Sequence, residues 1–139
     1  MIRFSAKYFK KIQMSNDEVV QFYENAMRDF SIAKNDQYPE VRFTYAYQAL
    51  VKVGIAMIAH VGQVKVKSVP GHHVKLLEKL SEILGDADIL SLGNAMRMKR
   101  NTDLYGGGEF ISEKEADDYC KFVEAIVKKT GQRIKQADS

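Results

Sequence analysis

The sequence predicts an all-α fold: an antiparallel up-and-down four-helix bundle with an additional short helix or N-terminal arm. Three observations carry this prediction. Five segments place apolar residues at helical spacing. Two of them open on Ser-x-x-Glu capping boxes, at Ser15 and at Ser112. No segment shows the strict alternation, or the turn-bounded β-branched run, that a sheet requires.

Residues 1–14 read as an arm or short helix, and residues 15–136 as the bundle. In the arm, Arg3, Phe4, Lys7, Tyr8, Phe9, Lys10 and Lys11 interleave cations with aromatics, the chemistry of single-strand nucleic-acid binding. A second reading weighs more: Phe4, Tyr8 and Ile12 recur at helical spacing and anchor a short helix on the bundle. The first bundle helix is expected over 15–34. Ser15 and Glu18 satisfy each other's free backbone donors, Met14 and Val19 staple the end, and Val19, Phe22, Tyr23, Ala26, Phe30 and Ala33 form the core face. The stretch Asn35-Asp36-Gln37-Tyr38 stops it.

Pro39 suits a first helical turn and opens a long second helix to about residue 61. Its main stripe runs through Phe43, Ala46, Tyr47, Leu50, Gly54, Met57, Ile58 and Val61, and Ala49, Ala56 and Ala59 lie opposite. A helix apolar nearly all round is central or sits at a subunit interface, so a homodimer burying the alanine face is expected. After Val69-Pro70-Gly71, a shorter helix carries Val74, Leu77, Leu80 and Leu84 and ends at Gly85. The fourth spans about 86–105, where Ile89, Leu92, Gly93 and Met96 share a face with Arg100 and Asp103. Gly106-Gly107-Gly108 terminates it. The Ser112 and Glu115 box then opens a last helix with Ala116, Tyr119, Val123 and Ile126 inward.

Composition narrows the function classes. A chain of 139 residues, 45% hydrophobic and 28% charged, fits one domain with a continuous core. A single cysteine, Cys120, excludes an internal disulfide. The first residues have no apolar signal region, and the longest apolar run, 53–59, is far too short to span a bilayer, so a cytoplasmic protein without membrane association is expected. The net charge of +3 is compatible with an acidic partner and selects none. His60, His72, His73 and Cys120 are the soft ligands, with no HExxH or CxxC spacing, so neither a metal nor a cofactor is expected. A Ser-His-Asp set and a phosphate-cradling glycine loop are absent as well.

What stands out is Arg100 on an apolar helical arc. A charge there costs several kcal/mol unless paired, and Asp103 lies within pairing reach on the same face. A structural ion pair and a functional arginine are equally compatible with that pattern. His72 and His73 follow Pro70-Gly71 and read as capping or surface residues that can also face a cleft.

The chain resembles the HEPN domains, a family of small helical bundles. The likeness covers most of the sequence after Met14 and rests on three stretches: 42–59 as the long second helix, Gly71-His72-His73-Val74-Lys75-Leu76-Leu77 opening the third, and Lys99-Arg100-Asn101 to Tyr105 closing the fourth. In many members an Arg followed by a His four to six residues later forms a metal-independent ribonuclease site at a dimer interface, and some members are toxins paired with a nucleotidyltransferase antitoxin. Here Arg100 matches the arginine, and Tyr105, Gly106 or Gly107 stands where the histidine belongs. Tyrosine, which titrates near pH 10, is a poor proton shuttle at neutral pH.

The resemblance therefore implies a homodimeric protein that binds nucleotide or RNA through Arg97, Arg100, Asn101, Asp103, Tyr105, His72 and His73, with Arg100 and Tyr105 in the catalytic positions and little cleavage expected. One alternative is an active ribonuclease in which His72 or His73 replaces the missing histidine. Another is a structural or partner-binding module in which Arg100 and Asp103 only lock the bundle.

Overall fold

The computed structural model describes residues 2–105 and 111–136, with the side chains of residues 102–105 and 136 outside the description. The chain runs β1 (Phe9–Lys11), α1 (Asn16–Asn35), α2 (Pro39–Gly62), β2 (Val64–Val66), α3 (His72–Leu84), α4 (Ala87–Tyr105) and α5 (Glu113–Gln136). The all-α prediction holds, and each helix expected between residues 15 and 136 is present. Both capping boxes close: Glu18 N–H donates to Ser15 Oγ at 3.2 Å, and Glu115 N–H to Ser112 Oγ at 3.1 Å. Gly85 ends α3 at φ +65°, a conformation that costs glycine nothing.

At the N-terminus the structure takes the arm and not the short helix, and adds a strand pair that the sequence reading did not expect. Instead of a short helix, residues 6–8 make a turn and β1 pairs antiparallel with β2, in the register Phe9 to Val66, Lys10 to Lys65 and Lys11 to Val64. Phe9 is buried, Phe4 packs edge-on against it at 5.3 Å between ring centroids, and a side chain at Gly62 would collide with Phe4. These aromatics therefore serve the core rather than a stacking platform. Gln63 turns the chain into β2 at φ +49°, and its carboxamide accepts from Met14 N–H and donates to Met14 C=O, tying the arm to the end of α2.

The second correction concerns α2. It packs against α1, α3, α4 and α5, and Ala49, Ala56 and Ala59 are fully buried within the chain. The alanine face is thus covered by the protomer's own helices, and no second subunit is needed to bury it. Where α2 meets α1, Lys52 Nζ lies 2.6 Å from Asp29 Oδ2, and Asp29 is buried at 2% exposure. Lys52 keeps its outer end in contact with solvent, so the costly change is removal of Lys52, which leaves the buried Asp29 carboxylate uncompensated. Arg42 ties α2 to two other helices, donating from Nε to Ala33 C=O of α1 at 2.9 Å and pairing with Asp117 of α5 at 2.6 Å.

Small residues set the helix spacing. A Cβ at Gly54 would stand 2.5 Å from Leu76 Cδ2, and Leu76 is itself buried, so the leucine would have to shift. Gly54→Ala is therefore expected to destabilise the fold by a net ~1–2 kcal/mol, because overpacking outweighs the helix-propensity gain of about 1 kcal/mol. Urea unfolding checks this. A higher midpoint in the variant would show that α2 and α3 can separate at little cost.

Candidate functional site: an arginine and histidine cleft

The last turns of α4 face the first turn of α3 across a cleft of about 260 Å³, walled by Gly71, His72, His73, Arg97, Arg100 and Asn101. The Val69-Pro70-Gly71 loop brings the histidines there. Gly71, at φ +79°, precedes the first helical residue, and His72 N–H donates to Val69 C=O at 3.1 Å. The His72 ring repeats that contact: its Nδ1–H donates to Val69 C=O at 2.9 Å, so Nε2 is the ring nitrogen that this contact leaves open. The rings of His72 and His73 meet edge to face at 4.4 Å between centroids.

His73 is held from below by the core. Its Nδ1 is 2.8 Å from the hydroxyl of Tyr47, a residue of α2 that is 1% exposed. In a neutral pair the phenol is the stronger donor and the imidazole nitrogen the stronger acceptor, so Tyr47 O–H donates and His73 carries its proton on Nε2. Arg100 covers the other side of the same phenol, with its guanidinium carbon 5.5 Å from the ring centroid. Arg97 is oriented by its neighbour on α4, donating from Nε to Asn94 Oδ1 at 2.9 Å. Close approach of the two helices is allowed at Gly93, where a Cβ would stand 2.8 Å from Leu77 Cδ2.

These contacts fix the charge of the site. Burial, with added repulsion from His72, Arg100 and Arg97, pushes His73 down to about 4, so its ring is neutral at pH 7. Burial pushes the Tyr47 phenol up to about 12, against the pull of Arg100 and Arg97, so the hydroxyl keeps its proton. The cleft then holds two guanidiniums, a neutral histidine N–H and the N-terminal end of α3, and each of these favours an anion.

Of the residues expected from sequence, His72, His73, Arg97, Arg100 and Asn101 converge here. The side chains of Asp103 and Tyr105 lie outside the described residues, and with them the expected Arg100 to Asp103 pairing. His60 and Cys120 are absent from the cleft lining, and among the described residues no group of three His, Cys, Asp or Glu side chains could hold a metal ion. Tyr47 was missed. The one sequence signal for it is a hydroxyl at a core-stripe position, which needs a partner when buried. No helix among the described residues is long and apolar enough to cross a membrane. Comparison with protein-family models, curated proteins and solved structures finds no match to this chain.

The depressed His73 pKa gives a pH prediction. Between about 4 and 6.5 the unfolded chain holds a proton on this residue that the native state rejects, so stability falls as pH drops through that window. Relative to His73→Gln, the wild type should lose about 1–2 kcal/mol between pH 7 and pH 4, after allowance for solvent screening. Denaturant titrations of both proteins across that range measure the difference. A pH-independent difference would mean that His73 titrates normally.

Proposed function

We propose that this chain is a HEPN-like, cytoplasmic protein that binds the phosphate of a nucleotide or of RNA in the Arg97 and Arg100 cleft. The observation that carries this reading is convergence: two arginines from α4 meet two histidines and the N-terminus of α3, residues far apart in sequence, around one cavity. Arginine presents a planar fork of donors suited to phosphate oxygens, and the His73 Nε2–H adds a neutral donor. Asn101 at the rim supplies an amide for a base or sugar.

Catalysis is a second reading, favoured by the presence of both histidines in the cleft. His72 Nε2, free because Nδ1–H is engaged with Val69, would take the proton of a ribose 2′-hydroxyl; the 2′-oxygen would attack phosphorus, and the 5′-oxygen would leave with a proton from solvent. Against fast turnover, neither His73, at about 4, nor Tyr47, at about 12, can exchange a proton readily at pH 7. Binding without efficient cleavage is therefore the primary reading.

Arg100→Ala should weaken binding of a short single-stranded RNA at least tenfold, about 1.4 kcal/mol, while the helical circular dichroism spectrum and urea midpoint stay within error. Loss of several kcal/mol of stability with unchanged binding would instead support the structural module. In EDTA, RNA should remain largely intact. Cleavage that disappears in a His72→Ala, His73→Ala double variant would establish the second reading.

A homodimer stays part of this proposal, now on a different surface. Leu92 and Met98 of α4 are 40% and 56% exposed, and each offers an apolar side chain to a second copy. Light scattering at micromolar concentration should give twice the monomer mass, reduced to the monomer by Leu92→Lys, Met98→Lys. A monomeric wild type would remove the dimer from the proposal. Pairing with a nucleotidyltransferase antitoxin rests on the HEPN resemblance alone.

A further inference from the structure

A larger cavity, about 480 Å³, adjoins the arginine cleft, and His72 and His73 line both. The histidine pair is thus a partition between two spaces. On the far side the lining is apolar, from Phe22 of α1, Val51 and Ile55 of α2 and Leu76 of α3. The outer rim is cationic and comes from the two-stranded sheet, through Lys10 of β1 and Lys65 of β2.

Those two lysines are direct cross-strand partners. Residues in that register share a face of the sheet, and like charges directly opposite each other destabilise it. Nearby lysines are otherwise engaged: Lys67 Nζ donates to Ala6 C=O at 2.6 Å, and Lys75 Nζ pairs with Glu78 at 3.5 Å and lies over the Tyr8 ring. Among the described residues no carboxylate lies within pairing distance of Lys10 or Lys65, and both are exposed. Two unneutralised charges are therefore held together at the mouth of an apolar recess, an arrangement that an anion would relieve.

We infer that the recess is a nucleobase subsite and the Lys10 and Lys65 pair a second phosphate subsite, so that the protein grips a single-stranded polynucleotide over at least one full nucleotide step. The inference rests on the phosphate-binding reading of the arginine cleft and extends it. An alternation of cation pair, apolar recess and cation pair matches a ligand in which anions flank a flat, weakly polar group, which is the repeat of a single strand. A duplex fits poorly, because its bases are stacked and paired and cannot enter a recess without being flipped out.

The test compares a ribonucleoside monophosphate with a single-stranded tetranucleotide, and the wild type with a Lys10→Gln, Lys65→Gln double variant, by titration calorimetry or fluorescence anisotropy. The tetranucleotide should bind the wild type at least tenfold more tightly than the monophosphate does. The double variant should lose that advantage while binding the monophosphate as before, and the slope of log K against log salt for the tetranucleotide should shrink by about 0.7, one single-strand phosphate contact. A tetranucleotide with its internal bases removed should also lose most of the advantage.

Equal affinity of the wild type for both ligands, or an unchanged tetranucleotide affinity and salt slope in the double variant, overturns the inference and leaves the arginine cleft standing. Monophosphate binding that survives Arg100→Ala overturns the cleft reading itself, and no binding of either ligand overturns both. Tight binding of an alkyl phosphate in place of the monophosphate, with no gain for the tetranucleotide, would assign the recess to an acyl chain and also overturn it.

Discussion

The constraint on which the rest of the structure depends is that α2 has no outward face along most of its length. A helix with Ala46, Ala49, Ala56 and Ala59 fully buried and glycine at position 54 lets neighbours approach on several sides, and four other helices do so. Such close packing leaves little room for polar groups, so those that occur on α2 must be matched. Lys52 is matched by Asp29, and the Tyr47 hydroxyl by His73. The second match reaches the surface. Because the phenol is fixed by the core, the imidazole it holds is fixed too, and the floor of the cleft inherits the rigidity of the bundle.

The electrostatics of the cleft follow from the same burial. Two guanidiniums near a half-buried imidazole make a third positive charge unfavourable, and His73 responds by staying neutral. An anion reverses the balance. Bound between Arg97 and Arg100, it would cancel their repulsion and favour protonation of His73, so ligand and proton are expected to bind cooperatively below neutral pH. That coupling needs no conformational change, because the groups already share one cavity.

Helix positions were legible in the sequence because their signals are local: Ser15 with Glu18, Pro39, Gly85, and Ser112 with Glu115 act within a turn of themselves. The strand pair was not legible. Three-residue strands are too short for alternation to register, and β1 exists only because β2, more than fifty residues later, supplies its partners. Periodicity also overstated burial at the margins of its stripes. Val61, in the last turn of α2, is 48% exposed, and Leu92 is 40% exposed on α4, where only a narrow arc meets the bundle. Asp29 was passed over on a core face because charge masks an apolar stripe, and its partner Lys52 lies on another helix. The candidate site was half legible. Arg97, Arg100, Asn101, His72 and His73 could be singled out by residue type and position, but that they share a cavity depends on how α3 lies on α4.

That arrangement has a simple geometric origin. The turn at Gly85 and Asp86 makes α3 and α4 neighbours in the bundle, and they pack closely at Gly93, against Leu77. One turn onward along α4 is Arg97, and one turn back along α3 is His73. The helices therefore meet again, one turn from the glycine, at the two residues that begin the cleft, with Arg100 a further turn out above Tyr47. A proton carrier carried on the arginine's own helix would be placed by the helical repeat alone. Here the histidines come from the preceding helix, and their distance from the arginines is set by the packing at Gly93. The geometry of the cleft is thus a property of a helix contact, and a methyl group at that glycine would press on Leu77 and shift the cleft walls without touching any residue that lines them.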